Sequence, residues 1–260
     1  MKRLSILTLS FLATAGIAQP VNYLGAGVTF QENFDRLPSS GVNAFTNGQT
    51  VSGLYAFNGY LGTPGGDAAT IISATSGNQV HGGFFSLGQA GSTERAFGSI
   101  AGGNNTNGSS VFGLALRNST GSTLTEFRLS YWGEQWSITT TRSGISFGYL
   151  ISDGPLFTAA NSAYSPVSAL DFVTPDWGAF GPVNGNAPQF RTRQSARITG
   201  IVWRPNDVLN LRWLDTVLPV AESAVGIDDL EFEAVPEPTT ISLLVAASPL
   251  LFRKRKNRAS

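Results

Sequence analysis

Apolar and polar residues alternate along the middle of the chain with a period of two, the spacing of strands that bury one face. In the stretch 110–118, Phe112, Leu114 and Leu116 share one face. In 124–136, Phe127, Leu129 and Tyr131 share one face, and Glu126, Arg128 and Ser130 share the other. Leu230 and Phe232 mark a last strand, with Asp229, Glu231 and Glu233 directed the opposite way. Clusters of Gly, Asn, Ser and Thr separate these runs, as turns require. The run Asn118-Ser119-Thr120-Gly121-Ser122 predicts a hairpin joining 110–118 to 124–136. Pro205-Asn206-Asp207 predicts a second, joining 196–204 to 208–215. Many short strands and no sustained helical period between the ends predict one all-β domain. The expected fold is a two-sheet antiparallel β-sandwich of jelly-roll type, with a β-barrel as the alternative.

The ends break this pattern. Met1-Lys2-Arg3 precedes an apolar run, 4–13, and small residues through Ala18. That order is a secretory signal peptide, a signal helix over 1–18 cut after Ala18 or after Ala15 by signal peptidase. At the other end Val235-Pro236-Glu237-Pro238 closes the domain, because proline cannot continue a ladder. Apolar residues 239–252 follow, then Arg253, Lys254, Arg255, Lys256 and Arg258. As a helix, 239–252 spans only about 21 Å against a hydrocarbon core of about 30 Å. It suits transient anchoring in the inner membrane better than a permanent span. The basic cluster stays on the cytoplasmic side and the domain between lies across the membrane. The expected layout is a signal peptide (1–18), an ectodomain (19–234) and a tail (235–260).

Charge sharpens this layout. The net charge of zero averages basic ends with an acidic middle: between them ten arginines face 17 carboxylates, a net charge of −7. An acidic middle opposes nucleic-acid binding, which needs a basic face. Cysteine is absent, so an exported domain must be held by packing and strand pairing.

The tail resembles the sorting signal of PEP-CTERM proteins: Pro236-Glu237-Pro238, a short apolar helix and a terminal basic cluster, in that order behind a signal peptide. Pieces of the middle are also similar to a domain common in that family. They are Glu32-Asn33-Phe34-Asp35, Arg95-Ala96-Phe97-Gly98, Leu116-Arg117-Asn118 with Thr120-Gly121, Tyr131-Trp132-Gly133-Glu134-Gln135-Trp136, Leu211-Arg212-Trp213-Leu214-Asp215 and Gly226-Ile227-Asp228-Asp229-Leu230. The last is similar to the closing strand of lectin-like and MAM-like jelly rolls. The resemblance implies an exosortase, a membrane-embedded protease-transpeptidase-like enzyme, as partner. It also implies a host that makes exopolysaccharide and delivery to the cell surface or extracellular matrix of a biofilm.

Candidate chemistry is sparse, and no catalytic constellation stands out. His81 is the sole histidine, so two-histidine metal sites are excluded, and it reads as an exposed turn residue. Glu126 and Glu134 are the acid pair that a polysaccharide hydrolase would need. On one strand they lie about 26 Å apart, unless a bend at Gly133 shortens this, against the ~5–10 Å of such enzymes. Glu134 beside Arg212 or Arg117 reads better as a structural ion pair. Asp228 and Asp229 are weak Ca²⁺ candidates, with Asp215 as a third oxygen donor; otherwise no cofactor is expected. Trp132 and Trp177 are the tryptophans expected outside the core, where they would stack on sugars. Asn104 and Asn118 are candidate glycan carriers. The sequence thus points to a non-catalytic structural or glycan-binding module, with a secreted hydrolase or an adhesin lacking a small ligand as alternatives.

Overall fold

The computed structural model describes residues 19–79, 81–102 and 108–236; the expected signal helix and the helix over 239–252 lie outside them. Among the described residues no helix is long and apolar enough to cross a membrane. In chain order the strands are β1 (Val21–Tyr23), β2 (Phe30–Glu32), β3 (Val42–Ala44), β4 (Leu54–Tyr60), β5 (Asp67–Ala68), β6 (Ile71–Thr75), β7 (Gly83–Leu87), β8 (Ala96–Ile100) and β9 (Ser109–Asn118). There follow β10 (Leu124–Gln135), β11 (Ser137–Ile138), β12 (Gly144–Ser152), β13 (Ser165–Pro166), β14 (Phe172–Val173), β15 (Gly181–Pro182), β16 (Arg191–Trp203), β17 (Val208–Asp215) and β18 (Val225–Val235).

One eight-stranded sheet runs β13-β12-β17-β9-β4-β5, with β1 also on β9 and β14 on β12. The other runs β16-β10-β18-β8-β7-β6-β3, with β2 also on β18, and β11 and β15 make a separate ribbon. Two pairings, β1 with β9 and β6 with β7, are parallel; the rest are antiparallel. The all-β, two-sheet expectation holds.

Neither predicted hairpin forms. β9 lies in the first sheet and β10 in the second; β16 lies in the second and β17 in the first. Each turn carries the chain between layers. The reason is burial: apolar faces set side by side in one sheet still need a cover, whereas strands placed in facing layers cover each other. Phe112, Leu114 and Leu116 of β9 join Phe127, Leu129 and Tyr131 of β10 in one core. The other face of β9 is buried as well, since Val111 and Ala115 pack with Tyr55, Tyr60 and Phe157.

The two crossings lock together at Asn118, which is fully buried. Its backbone N–H donates to Asp207 O at 3.0 Å and its carbonyl accepts from the Asn206 N–H at 2.8 Å. Its side-chain Nδ2 donates to the carbonyls of Trp203 and Ser122, both at 2.8 Å. Its Oδ1 accepts from the Thr120 N–H at 3.0 Å and from Thr120 Oγ1 at 2.8 Å. An amide so engaged carries no glycan, which corrects the expectation for this residue; Asn104 lies outside the described residues. Asn206 sits at φ 72°, a left-handed conformation that Asn tolerates better than most residues.

Aromatic rings fill the core. Trp213 stacks on Phe112 and meets Tyr131 and Phe147 edge-on. Towards the other end Tyr23 stacks on Trp203 and meets Phe232 edge-on. The Tyr23 hydroxyl donates to Val28 O at 2.7 Å and accepts from the Ala234 N–H at 2.9 Å. The first and last strands are thereby tied to each other.

Candidate functional site

Four of the six quoted sequence pieces meet on and beside β18, and a bulge there organises them. Ser130 pairs with Glu231, but the next pairing is Trp132 with Asp228, so Asp229 and Leu230 together stand opposite Tyr131. Asp229 takes the strained conformation, φ 46°. Leu230 and Phe232 on one side of the bulge, and Val225 and Ile227 on the other, all reach the core. The extra residue therefore turns Asp228 to the outer face, opposite Trp132 and diagonal to Glu134 of β10. Glu94, just before β8, approaches the same place, because Phe97 and Gly98 pair with Ile227 and Gly226. One carboxylate oxygen from each of Glu94, Glu134 and Asp228 lies within 4.8 Å of the others. Glu134 and Asp228 are buried, at 0% and 2% exposure. Burial first, then neighbouring acids, pushes Glu134 up to about 8 and Asp228 up to about 10.

This arrangement corrects several expectations. Arg212 lies over the Tyr164 ring at 3.5 Å and donates to Asn161 Oδ1, while Arg117 donates to Asn206 O, so neither pairs with Glu134. Glu126 is held by Arg197 at 2.5 Å and Arg128 at 3.5 Å; the Arg197 hydrogen bond draws its carboxyl below the ordinary range. Pairing of β10 with β16 runs without a shift from Glu126 to Glu134, so the separation of about 26 Å stands. The two carboxylates do not assemble as a hydrolase pair. Of the Ca²⁺ candidates only Asp228 joins the cluster. Asp229 is exposed, and Asp215 is buried in the first sheet, where it accepts from Ser99 Oγ at 2.7 Å. His81 is an exposed turn residue, as expected.

Trp132 lies half-buried on the outer face of the second sheet, opposite the core residues of β10. The guanidinium carbons of Arg191 and Arg193, on β16, stand 4.5 and 5.8 Å from its ring centroid. Arg193 also donates to Glu231 at 2.6 Å and to Ser130 Oγ at 2.8 Å. Beside this row runs a groove of about 530 Å³ lined by Gln31, Asn33, Arg36, Arg193, Asp229 and Glu231, among others. Trp177 is 50% exposed, with Arg142 over its ring at 3.8 Å. Trp136, Trp203 and Trp213 are fully buried.

No family model matches the chain, and no curated protein matches it. Among solved structures it is similar to the CBM22-1 xylan-binding domain of Paenibacillus barcinonensis Xyn10C, at 10% identity and TM-score 0.34 over 82% of this chain and 98% of that one. It is also similar to the K1 cleaved adhesin domain of the Porphyromonas gingivalis Lys-gingipain, at 14% identity and TM-score 0.34 over 80% and 99%. A third is the TmCBM61 module in complex with β-1,4-galactotriose, at 13% identity and TM-score 0.28 over 61% and 86%. At these scores the likenesses carry no argument, and the architecture is read from this chain's own strand pairing.

Of the tail residues, Val235 is the last residue of β18, paired with Glu126, and Pro236 follows it exposed. Glu237, Pro238 and the basic cluster lie outside the described residues. Sequence reasoning missed Glu94, whose only signal was its place beside the Arg95-Ala96-Phe97-Gly98 piece. It also missed Asn186, which reaches Glu94 from the loop after β15.

Proposed function

We propose that this chain is an exported, non-catalytic β-sandwich that binds glycan through the outer face around Trp132. In this reading signal peptidase removes 1–18, the tail holds the domain transiently at the inner membrane, and an exosortase cuts at Val235-Pro236-Glu237-Pro238. The protein then passes to the cell surface or an exopolysaccharide matrix. The sandwich is taken as a jelly roll of lectin or MAM type.

The observation that carries the glycan reading is the row Trp132, Arg193, Glu231 beside a polar groove of about 530 Å³. Sugars present an apolar C–H face and paired hydroxyls. An indole offers the first a flat apolar surface, and forked guanidinium and carboxylate groups offer the second bidentate hydrogen bonds. Trp177, with Arg142 alone above it, offers a smaller version of the same chemistry.

Retention of residues 19–236 on immobilised exopolysaccharide tests the binding. Every core side chain named above lies within that span. Trp132→Ala is expected to weaken retention at least tenfold, about 1.4 kcal/mol, with Trp177→Ala smaller. No retention by the parent protein removes the glycan reading and leaves an adhesin without a small ligand. Intact mass and fractionation of the native protein test delivery: a cytosolic chain retaining Met1 and Ser260 refutes it.

A further inference from the structure

We infer that Glu94, Glu134 and Asp228 form a binding site for a divalent hard cation, of which calcium fits best. Oxygen ligands of Ca²⁺ lie at about 2.3–2.6 Å, so two of them on opposite sides of one ion are at most about 5 Å apart. The carboxylate oxygens here lie within 4.8 Å of one another and meet that limit.

Acidic residues often gather without an ion, so the weight rests on a second observation. Glu134 is 0% exposed, and its Oε1 is buried with no hydrogen-bond partner. Its other oxygen, Oε2, is fixed at 2.9 Å by the Trp136 indole N–H, so Oε1 is the oxygen left for the neighbouring carboxylates. Asn186, whose amide nitrogen bonds Glu94, has an amide oxygen that is also buried without a partner. Two orphaned acceptors beside three acids are what a site for a cation leaves when only protein atoms are considered.

No ion pair among the described residues reaches the three acids, and Arg191 acts on Glu134 only at a distance. Among the described residues the ion pairs go to Glu32, Glu126 and Glu231. Arg191 pairs in register with Glu134, but its guanidinium lies over Trp132. An ionised carboxyl buried without a partner charge is very unfavourable, so without an ion Glu134 and Asp228 hold their protons instead.

The donor chemistry selects the ion. All donors are oxygen, with no His or Cys in the cluster, which favours hard cations over zinc or copper. The ligands come from a turn, two strands and a loop, an irregular set that suits Ca²⁺ better than the strict octahedron of Mg²⁺. Bound there, the ion would staple the β18 bulge, the Glu94 turn and the 184–187 loop to β10. That loop already fits closely, since a Cβ on Gly185 would fall 2.3 Å from the Trp136 indole nitrogen. The inference does not rest on the glycan reading.

Calcium titration of the EDTA-treated full-length protein tests the site, with thermal unfolding and equilibrium dialysis as readouts. One ion per chain and a Tm rise of about 5 °C at 10 mM CaCl2 are expected, with a smaller rise in MgCl2. Glu94→Gln and Asp228→Asn abolish the rise, whereas Asp229→Asn keeps it. Glu134→Gln in EDTA is about as stable as the parent, because the amide replaces a carboxyl that burial already holds neutral, and it does not respond to calcium. Glu94 is only half-buried, so its variant keeps the test open if a buried one fails to fold. Folded parent protein that binds no calcium at 10 mM, or a Glu94→Gln variant with an undiminished Tm rise, overturns the inference.

Discussion

Replacing Asn118 by alanine tests whether the two inter-sheet crossings are held as one unit. The asparagine side chain donates two hydrogen bonds, to Ser122 O and Trp203 O at 2.8 Å, and accepts two from Thr120. Net values of about 1 kcal/mol per hydrogen bond, plus the penalty for a buried carbonyl left without its donor, give a loss of about 3–5 kcal/mol. That is about a fifth or more of the stability of an ordinary domain. Urea unfolding of residues 19–236, followed by tryptophan fluorescence, measures it directly, because Trp136, Trp203 and Trp213 are fully buried. The midpoint should fall by about 1–2 M. Asn118→Asp keeps the oxygen that accepts both Thr120 bonds and loses the amide nitrogen that donates two, while burying a charge, so at pH 7 it should be no more stable than the alanine variant. A loss below 1 kcal/mol for Asn118→Ala would show that the crossings hold without this side chain, and would refute the account of how the two layers are joined.

Two further predictions follow from the packing and the buried acids. A Cβ on Gly133 would fall 2.3 Å from Cδ2 of Phe172, so Gly133→Ala should lower stability by about 1–3 kcal/mol; an unchanged Tm would deny that contact. Burial pushes Asp215 up to about 7, and Glu222, beside it electrostatically, up to about 8. The folded state therefore holds protons that the unfolded chain releases above about pH 4, and this stability is full below that pH and lost as pH rises to 7 or 8. Between pH 5 and 8 the parent should lose roughly 2–4 kcal/mol more than Asp215→Asn, measured by urea unfolding at each pH; equal slopes would reject the shift.

The sequence was most readable where burial alone decides. Phe127, Leu129 and Tyr131 announced a core face, and Leu230 and Phe232 announced another, because period-two alternation is a direct image of a sheet with one covered side. Partnering was not readable. A turn such as 118–122 serves equally to fold a strand beside its predecessor or to pass it to the facing layer, and that choice is made by tertiary burial. β9 hid a second fact: Val111 and Ala115, on what looked like an open face, are covered by Phe157 from an excursion more than forty residues away.

The acid cluster was hidden for a different reason. Continuing the alternation of Leu230 and Phe232 back along the strand sends Asp228 towards the core, and only the bulge at Asp229 turns it outward. Nothing in the local pattern marks that extra residue. Glu94 stands forty residues before Glu134 in the chain, so only the assembled sheet brings the acids together. This separates the two sites by the kind of support each has. Around Trp132 every group obeys ordinary rules, with Arg193 and Arg197 neutralised by Glu231 and Glu126, so a role there is argued from the chemistry the surface offers. At Glu94, Glu134 and Asp228 three acids meet, two of them buried, with no ion pair to any of them among the described residues, and a bound cation would compensate that arrangement. Calcium is the simplest agent that would do so, and its binding would make the bulge, otherwise a flaw in the ladder, the hinge on which three distant segments meet.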